Sequence, residues 1–151
     1  MKHGVDLVEH FTKDLPAISL DEIKMRQVVV NLLVNAVKFS PECAQVTVAT
    51  VREPRFILLE VRDHGPGIQP DEATHIFELF GQVVSGNKSK SGGLGIGLHV
   101  VKRITELHGG FVGLNSIPGE GSSFWVRLPL GSAGEAPPAG DQPALEQRAA
   151  A

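Results

Sequence analysis

The amino-acid sequence predicts an α+β fold, a two-layer α/β sandwich in which helices cover one face of a mixed, mostly antiparallel sheet. Three observations support this prediction. Two long segments have the apolar content and end signals of helices, several short segments have the pattern of strands, and neighbouring strand segments are joined by short turns. The chain has 151 residues and is 42% hydrophobic, which is enough to bury the core of one domain.

The first half of the chain contains an edge strand, a long helix and a hairpin. The segment "VDLVEHFT" is predicted to be a strand at the edge of the sheet. Asp21 is a suitable N-cap for a helix, and the following stretch from Lys24 to Val37 is free of Gly and Pro. This helix is expected to end near Ser40 and Pro41. The runs "AQVTVATV" and "RFILLEVRD" are predicted strands, and "REP" between them is a hairpin turn.

The second half continues with shorter elements. "PDEATHIFELF" is predicted to be a short helix, because Pro70 lies near its start and Asp71 and Glu72 lie in its first turn. Residues 81–97 contain six Gly and are expected to form a long flexible loop. The helix "IGLHVVKRITELHGG" follows and is closed by Gly109. Two strands, "FVGLNS" and "SSFWVRLPL", flank the turn "IPGEG".

The last segment differs in composition from the rest. Residues 131–151 are dominated by Ala, Pro and Gly and contain one Leu and no aromatic residue, so they cannot offset the entropy of ordering a chain. We therefore predict a folded domain over residues 1–130 and a disordered tail or linker over residues 131–151.

Composition and charge exclude several classes of protein. The formal net charge of -3 gives no global basic field, so we expect no nucleic-acid partner, and phosphate would have to be bound at a local site. Cys43 is the only cysteine, which excludes an internal disulfide and a multi-cysteine metal site. No apolar run approaches the ~18 residues of a membrane span, and no signal peptide is recognisable. We expect a cytoplasmic protein.

A polar stripe interrupts the apolar helix segment "NLLVNAVKFSP". At the helical spacing, Asn31, Asn35 and Lys38 project from one face within about 60° of arc, and Gln27 extends this face by one turn. A solvated stripe normally carries Glu, Lys and Arg, whereas Asn is a poor helix former. Asn oxygens are ligands for Mg²⁺ and a Lys can meet phosphate. The stripe alone leaves a solvated face and a binding face equally open.

A second candidate lies at the end of a predicted strand, in "RDHGPGI". Asp63 stands where the strand must end, since Gly65, Pro66 and Gly67 form a turn. An ordinary turn explains this pattern. The carboxylate could also accept a hydrogen bond from an exocyclic amine, and the two glycines would let a flat ring approach the backbone.

The third candidate is "GGLGIGL", in which Gly93, Gly95 and Gly97 alternate directly ahead of a helix. Backbone N–H groups at a helix start form a natural anion site, and the alternative is a glycine hinge without a ligand. The spacing does not fit the Rossmann fingerprint. The P-loop pattern also fails, because Asn87 is inserted before Lys88 in "GQVVSGNKS".

These three elements, in this order, resemble the ATP-binding lobe of the two-component sensor histidine kinases, within the superfamily that includes DNA gyrase, Hsp90 and MutL. "RQVVVNLLVNAVKFSP" is similar to the N box of that family, "VRDHGPGI" to its G1 box, "IFELF" to its F box and "GGLGIGL" to its G2 box. "HGG", "GEGSSF" and "RLP" match its closing phrases. The resemblance covers residues 20–130 and implies a Bergerat-type ATP-binding fold.

The resemblance implies that ATP and Mg²⁺ are the cofactors. Asn35 would be a Mg²⁺ ligand, Asn31 would lie beside the metal and phosphates, and Lys38 would reach the phosphate chain. Asp63 would accept the adenine amino group, with help from Gly67 and, across the site, from Ser122. The nucleotide-binding positions implied by the family are Asp63, Gly65, Gly67, Phe80, Gly93, Leu94, Gly95, Gly97, Leu98 and Ser122. Residues 81–92 would form the ATP lid, with Phe77 and Phe80 at its base.

Two departures from the wider superfamily bear on the chemistry. The gyrase-like ATPases have a Glu general base where this chain has Asn31, and an amide cannot take a proton. We therefore expect transfer of phosphate to a protein side chain in preference to water. Many members of the family have an Arg near the start of the lid, where this chain has Gln82. The contact to the γ-phosphate is left open between Gln82, Lys88 and Lys90.

The phosphoacceptor of the family, a His followed by an acidic residue, is absent from this sequence. The six histidines are His3, His10, His64, His75, His99 and His108, and none is followed by Asp or Glu. His64, His75, His99 and His108 are interpreted as incidental residues of the site edge or helix surfaces. The expected partners are a histidine phosphoacceptor and dimerisation domain, and then a response regulator receiver domain in bacterial signal transduction. The isolated domain is expected to be monomeric.

Two other functions remain open from the sequence. A stand-alone serine kinase of the anti-sigma type also consists of one such domain. A non-catalytic module that binds partners when ATP is bound is the second alternative.

Overall fold

A five-stranded mixed sheet with two long helices on one face forms the framework of this protein. The computed structural model describes residues 4–78 and 97–130. The elements in chain order are β1 (Asp6–Phe11), α1 (Glu22–Phe39), β2 (Gln45–Arg52), β3 (Phe56–Asp63), α2 (Pro70–Ala73), α3 (Gly97–Leu107), β4 (Phe111–Ile117) and β5 (Gly121–Pro129). The predicted α+β class and the mixed, mostly antiparallel sheet are confirmed.

The strands lie in the order β1-β2-β3-β5-β4. β1 is the predicted edge strand, and it pairs with β2 in parallel. The other three pairings are antiparallel. In the β3–β5 pairing, Asp63 at the end of β3 lies opposite Ser122 near the start of β5. The sheet register therefore places two of the predicted site residues side by side.

Helix α1 forms as its end signals predict. The Asp21 carboxylate accepts a hydrogen bond from the backbone N–H of Lys24 at 3.1 Å, which satisfies one of the free donors of the first turn. At the other end, Ser40 is the C-cap, and its hydroxyl donates to the carbonyl of Ala36 at 2.7 Å. Because Pro41 follows, the helix cannot continue. The helix is held at both ends by residues that the sequence identifies.

The core lies between the helices and one face of the sheet. Alternate residues of the central strands point into it, and Val61 of β3 faces Phe124 of β5 across the sheet. The buried face of α1 has helical spacing. It consists of Met25, Val28, Leu32 and Ala36. Helix α3 contributes Leu98, Val101 and Ile104 to the same cluster. Burial of this face fixes the rotation of α1, so its polar stripe lies to the side of the core.

One predicted segment differs from the structure. The helix expected over "PDEATHIFELF" ends after one turn, at Ala73. In the next turns the hydrogen bonds join residues three apart, as in a 3₁₀-helix. The N–H of His75 donates to the carbonyl of Glu72, and the N–H of Glu78 donates to the carbonyl of His75. The predicted loop over residues 81–97 lies outside the described residues except for Gly97, which begins α3. The predicted tail over residues 131–151 also lies outside them.

Helix α3 ends as predicted, with Gly109 at a positive φ of 75°, the conformation that favours glycine after a helix. Within residues 4–78 and 97–130, no helix combines the length and the apolar character that a membrane span requires.

The sheet face opposite α1 and α3 is organised around Trp125. Its indole ring lies flat across Gly113, its partner on β4, and a Cβ atom at position 113 would overlap the ring. The Arg127 guanidinium lies 4.6 Å from the ring centroid and donates to both carboxylate oxygens of Glu53, at 2.7 and 3.2 Å. Trp125 is consequently buried although it is on this face.

Gly113→Ala is expected to lower the free energy of unfolding by about 1–3 kcal/mol, because the added methyl group displaces the indole. Urea unfolding measures this change. In a Trp125→Leu background the same substitution should cost much less, and the double-mutant cycle isolates the overlap. An equal cost in both backgrounds would contradict the proposed packing.

Candidate functional site

Three elements converge at one end of the sheet: the polar side of α1, the turn after β3 and the start of α3. The side-chain amide of Asn31 donates to the carbonyl of Gly97, the first residue of α3, at 3.3 Å. At the C-terminal end of α1, Gly65 packs so closely against Phe39 that a Cβ atom at position 65 would overlap the Phe39 carbonyl oxygen. The predicted stripe and the predicted strand-end carboxylate are thus brought to the same region.

The buried amide of Asn35 has an unmet hydrogen-bonding requirement. Its Nδ2 atom is buried and makes no hydrogen bond within the described part of the chain. A buried polar group without a partner costs about 1–3 kcal/mol. Rotation of the amide by 180° exchanges its nitrogen and oxygen with little change of shape, so the same position can present an oxygen. An oxygen here would be satisfied by a cation.

Lys38 completes the stripe. It is half-buried, and its ammonium group lies 6.0 Å from the centroid of the Phe39 ring. Among the described residues, Lys38 forms no ion pair with a carboxylate. Its charge is therefore available to an anion beside Asn35. The stripe lies on the side of α1 that borders the start of α3.

Asp63 is the buried acid of the site. Its side chain is only 3% exposed, and its Oδ1 atom accepts the N–H of Gly65 at 2.9 Å. Burial raises the pKa of Asp63 above its ordinary value, while the N–H groups of Gly65 and Ser122 and the charge of His64 act in the opposite direction. No ion pair with a Lys or Arg of the described residues compensates this carboxylate. It keeps lone pairs for a further donor.

The hydroxyl groups of Ser116 and Ser122 form a hydrogen-bond network next to Asp63. Ser116 accepts the N–H of Ile68 at 2.7 Å and donates to the carbonyl of Gly121 at 3.1 Å. Its Oγ lies 2.9 Å from the Oγ of Ser122, so the Ser122 hydroxyl is left to donate to Ser116. Ser122 can then only accept from a ligand. Sequence reasoning missed Ser116, because nothing in its local pattern distinguishes it from any other Ser in a strand.

The glycines of the turn have a packing role that sequence reasoning also missed. A Cβ atom on Gly67 would overlap the carbonyl of Ile117, and Gly67 has a positive φ of 75°. A Cβ atom on Gly121 would overlap the carbonyl of Asp63. The space that a side chain would occupy at these positions, and at Gly65, is filled by backbone. These glycines let the turn fit between α1 and the β4–β5 turn.

The start of α3 borders the stripe. Gly97 is exposed, and the nearest atom to a Cβ placed there is the Cγ of Asn31 at 3.9 Å. Leu98 is buried in the core cluster, so only its backbone lies at the helix start. The first turn of a helix has N–H groups without intrahelical partners, which favour an anion.

The base of the predicted lid is partly visible. Phe77 packs against Phe124 with ring centroids 6.1 Å apart, and the Nδ1 of His99 lies 3.3 Å from the Phe77 carbonyl. Other predicted site residues lie outside the described residues. These are Phe80, Gln82, Lys88, Lys90, Gly93, Leu94 and Gly95.

The donor set of the site restricts which metal it can hold. Within the described ranges, no three His, Cys, Asp or Glu side chains cluster as metal ligands. A cation near Asn35 would therefore need most of its ligands from water or from a bound anion. Hard cations with oxygen ligands, such as Mg²⁺, bind in this way together with phosphate groups. Asn35 and Lys38 fit a Mg²⁺ ion that is bound together with phosphate groups.

Asp63 is expected to make the stability of the domain depend on pH. The folded state binds a proton at Asp63 more tightly than the unfolded state does, so this contribution to stability is greatest below the ordinary Asp pKa and is lost as pH rises through the raised pKa. Asp63→Asn should remove this component, as measured by urea unfolding at several pH values. Asp6→Asn, at an exposed position of β1, is the control. Parallel curves for the parent and Asp63→Asn would contradict the assignment.

Comparison with protein families and curated proteins identifies relatives. Residues 20–132 match the family described as "Histidine kinase-, DNA gyrase B-, and HSP90-like ATPase". The chain is 38% identical over 117 residues to the alginate biosynthesis sensor protein KinB of Pseudomonas aeruginosa, covering 78% of this chain and 19% of that protein. It is 36% identical over 136 residues to the sensor protein GacS of Pseudomonas syringae pv. syringae, covering 87% of this chain and 15% of that protein. The chain thus spans less than a fifth of these two relatives.

Solved structures agree with this similarity. Full-length ShkA, in a crystal structure with AMPPNP, superposes with a TM-score of 0.73 at 34% identity, covering 86% of this chain and 26% of ShkA. The mycobacterial sensor histidine kinase MprB gives a TM-score of 0.74 at 29% identity, with 83% of this chain and 84% of that one covered. The sheet and helices described above are therefore those of a known fold.

Proposed function

The chain belongs to the histidine kinase-, DNA gyrase B- and HSP90-like ATPase family, and from this premise we propose that it is the catalytic lobe of a two-component sensor histidine kinase. It binds Mg-ATP and donates the γ-phosphate to a histidine on another domain. The observation that carries this proposal is the buried Nδ2 atom of Asn35, which has no partner within the described part of the chain, on a stripe that reaches the start of α3. The match to sensor kinases supports it.

The polar stripe forms the metal and phosphate side of the proposed site. Asn35 would hold Mg²⁺ through its side-chain oxygen, and the ion would neutralise charge on the phosphates. Lys38, which has no carboxylate partner among the described residues, would contact the phosphate chain. The N–H groups at the start of α3, together with the segment containing Gly93, Leu94 and Gly95, would approach the phosphates.

Asp63 forms the adenine side of the proposed site. A buried carboxylate with free lone pairs is suited to accept the exocyclic amino group of adenine. Gly65 and Ser122 orient this carboxylate through their backbone N–H groups. The Ser122 hydroxyl donates to Ser116, so it could only accept a hydrogen bond from the nucleotide. Gly67 shapes the turn. Phe80 would close this side, and Leu98 would contribute from the core beneath.

Asn31 accounts for transfer to a protein rather than to water. An amide cannot act as general base, and the Asn31 amide N–H already donates to the carbonyl of Gly97. Its role is therefore to join α1 to α3. With no carboxylate at this position to activate water, we propose that the site positions ATP for an incoming nucleophile and depends on orientation and charge neutralisation.

The acceptor belongs to a different part of the signalling system. None of the six histidines is followed by an acidic residue, and the chain spans only 15–19% of KinB and GacS. We propose a phosphoacceptor and dimerisation domain, in the same longer polypeptide or in another chain, as the first partner. A response regulator receiver domain would take the phosphate next.

Asn35→Ala is expected to lower the affinity for ATP in the presence of Mg²⁺ by at least about tenfold, corresponding to ~1.4 kcal/mol, and to abolish the effect of Mg²⁺ on binding. Isothermal titration calorimetry with and without Mg²⁺ measures this. Val34→Ala is the matched control, because Val34 is adjacent in sequence but 59% exposed on another side of α1. Unchanged Mg²⁺ dependence in Asn35→Ala would contradict the assigned role.

Asp63 is expected to select ATP over GTP, because guanine presents a carbonyl where adenine has an amino group. In the parent, ATP should bind more tightly than GTP, and Asp63→Asn should reduce this preference. ATP affinity should also decrease as pH falls through the raised pKa of Asp63, since protonation removes the carboxylate acceptor. Equal affinities for ATP and GTP in the parent would contradict the adenine assignment.

The chemistry of the phosphorylated product separates the remaining alternatives. Phosphohistidine is acid-labile and phosphoserine is stable to acid. Incubation of the chain with labelled ATP and candidate acceptor domains should give acid-labile label. Acid-stable label would indicate a serine kinase, and binding without transfer to any acceptor would indicate a nucleotide-gated interaction module.

A further inference from the structure

His108 joins the two long helices at the end opposite to Asn31 and Gly97. Its Nε2 atom lies 2.9 Å from the backbone N–H of Asp21, the N-cap of α1. Its Nδ1 atom lies 2.8 Å from the carbonyl oxygen of Ile104, one turn earlier in α3. The residue expected from the sequence to be an incidental surface histidine is thus a bridge between elements 87 residues apart.

These two contacts select one tautomer of the neutral ring. The carbonyl of Ile104 can only accept, so Nδ1 carries the hydrogen. The N–H of Asp21 can only donate, so Nε2 is the acceptor. Only the neutral imidazole with hydrogen on Nδ1 satisfies both partners.

The bridge fixes the register of α1 against α3. The helices are joined at Asp21 and His108, and again at Asn31 and Gly97. Ten residues separate Asp21 from Asn31, and eleven separate Gly97 from His108, so both spans are about 15–17 Å long in a helix. Two hydrogen bonds at matched separations therefore hold the antiparallel helices against sliding. The polar stripe lies at one end of this arrangement.

We infer that His108 is a positioning residue for Mg-ATP, because its neutral ring sets the axial position of α1, and with it Asn35, relative to the start of α3. This inference rests on the proposed nucleotide site. Loss of the contact to Asp21 would free the N-terminal end of α1 and weaken binding to the phosphates and metal. Asp63 lies on β3 and is held by the N–H groups of Gly65 and Ser122, so we expect adenine recognition to depend less on this register than the metal side does.

Three substitutions separate the bridge from its local contact. His108→Gln has a side-chain oxygen with about the reach of Nε2, can accept the Asp21 N–H and does not titrate. His108→Asn can keep the donor to Ile104 but is too short to reach Asp21. His108→Ala removes both contacts. Circular dichroism establishes the temperature below which each variant is folded, and affinities for Mg-ATP and for adenosine are measured there by calorimetry and competition.

At pH 7.5 we expect His108→Asn and His108→Ala to weaken Mg-ATP binding by about fivefold, the factor for one hydrogen bond of ordinary strength, with adenosine affinity nearly unchanged. His108→Gln should match the parent.

Several results would overturn the inference. Parental Mg-ATP affinity in His108→Asn, or equal losses for adenosine and Mg-ATP, would show that His108 does not position the metal side. A loss of Mg-ATP affinity in His108→Gln as large as that in His108→Asn would do the same, and this comparison remains valid if His108→Ala does not fold. If the parent binds Mg-ATP and every variant binds Mg-ATP and adenosine as tightly as the parent does, only the inference fails. If the parent binds no Mg-ATP, the proposed function fails as well.

Discussion

The close approach of the end of α1 to the turn after β3 is the constraint on which the site depends. No side chain fits at Gly65, because the carbonyl of Phe39 occupies that space, and the same is true of Gly67 and the carbonyl of Ile117. This backbone contact holds Asp63 beside the polar stripe of α1. A larger residue at Gly65 would push the turn away from α1 and separate the two halves of the site.

The same region carries two buried polar groups that a ligand would stabilise. The Nδ2 atom of Asn35 is buried and has no partner within the described part of the chain, and Asp63 is a buried carboxylate whose pKa burial raises. Both reduce the stability of the domain. A ligand with a cation near Asn35 and an N–H donor near Asp63 would satisfy both at once. Mg-ATP has these two features, and this is why stability and binding are expected to oppose each other here.

Local signals in the sequence were sufficient for the fold and for part of the site. Helix α1 follows from Asp21, Pro41 and the spacing of its apolar residues, and its stripe follows from that helix. Contacts between distant segments could not be predicted. The packing role of Gly65, the Ser116 network and the bridge from His108 to Asp21 depend on tertiary structure alone. The predicted helix beginning at Pro70 is too long, because propensity does not reveal that the hydrogen bonds after Ala73 join residues three apart instead of four.

The central claim is that α1 and the end of β3 hold the two ends of one nucleotide. NMR titration of the isotopically labelled chain tests it most directly, by following the side-chain amide of Asn35 and the backbone amides of Gly65 and Ser122. We predict that adenosine shifts the Gly65 and Ser122 signals, and that the Asn35 side-chain signal moves only when Mg²⁺ and ATP are both present. Shifts confined to residues of the opposite sheet face, such as Thr47 and Arg62, would contradict this account.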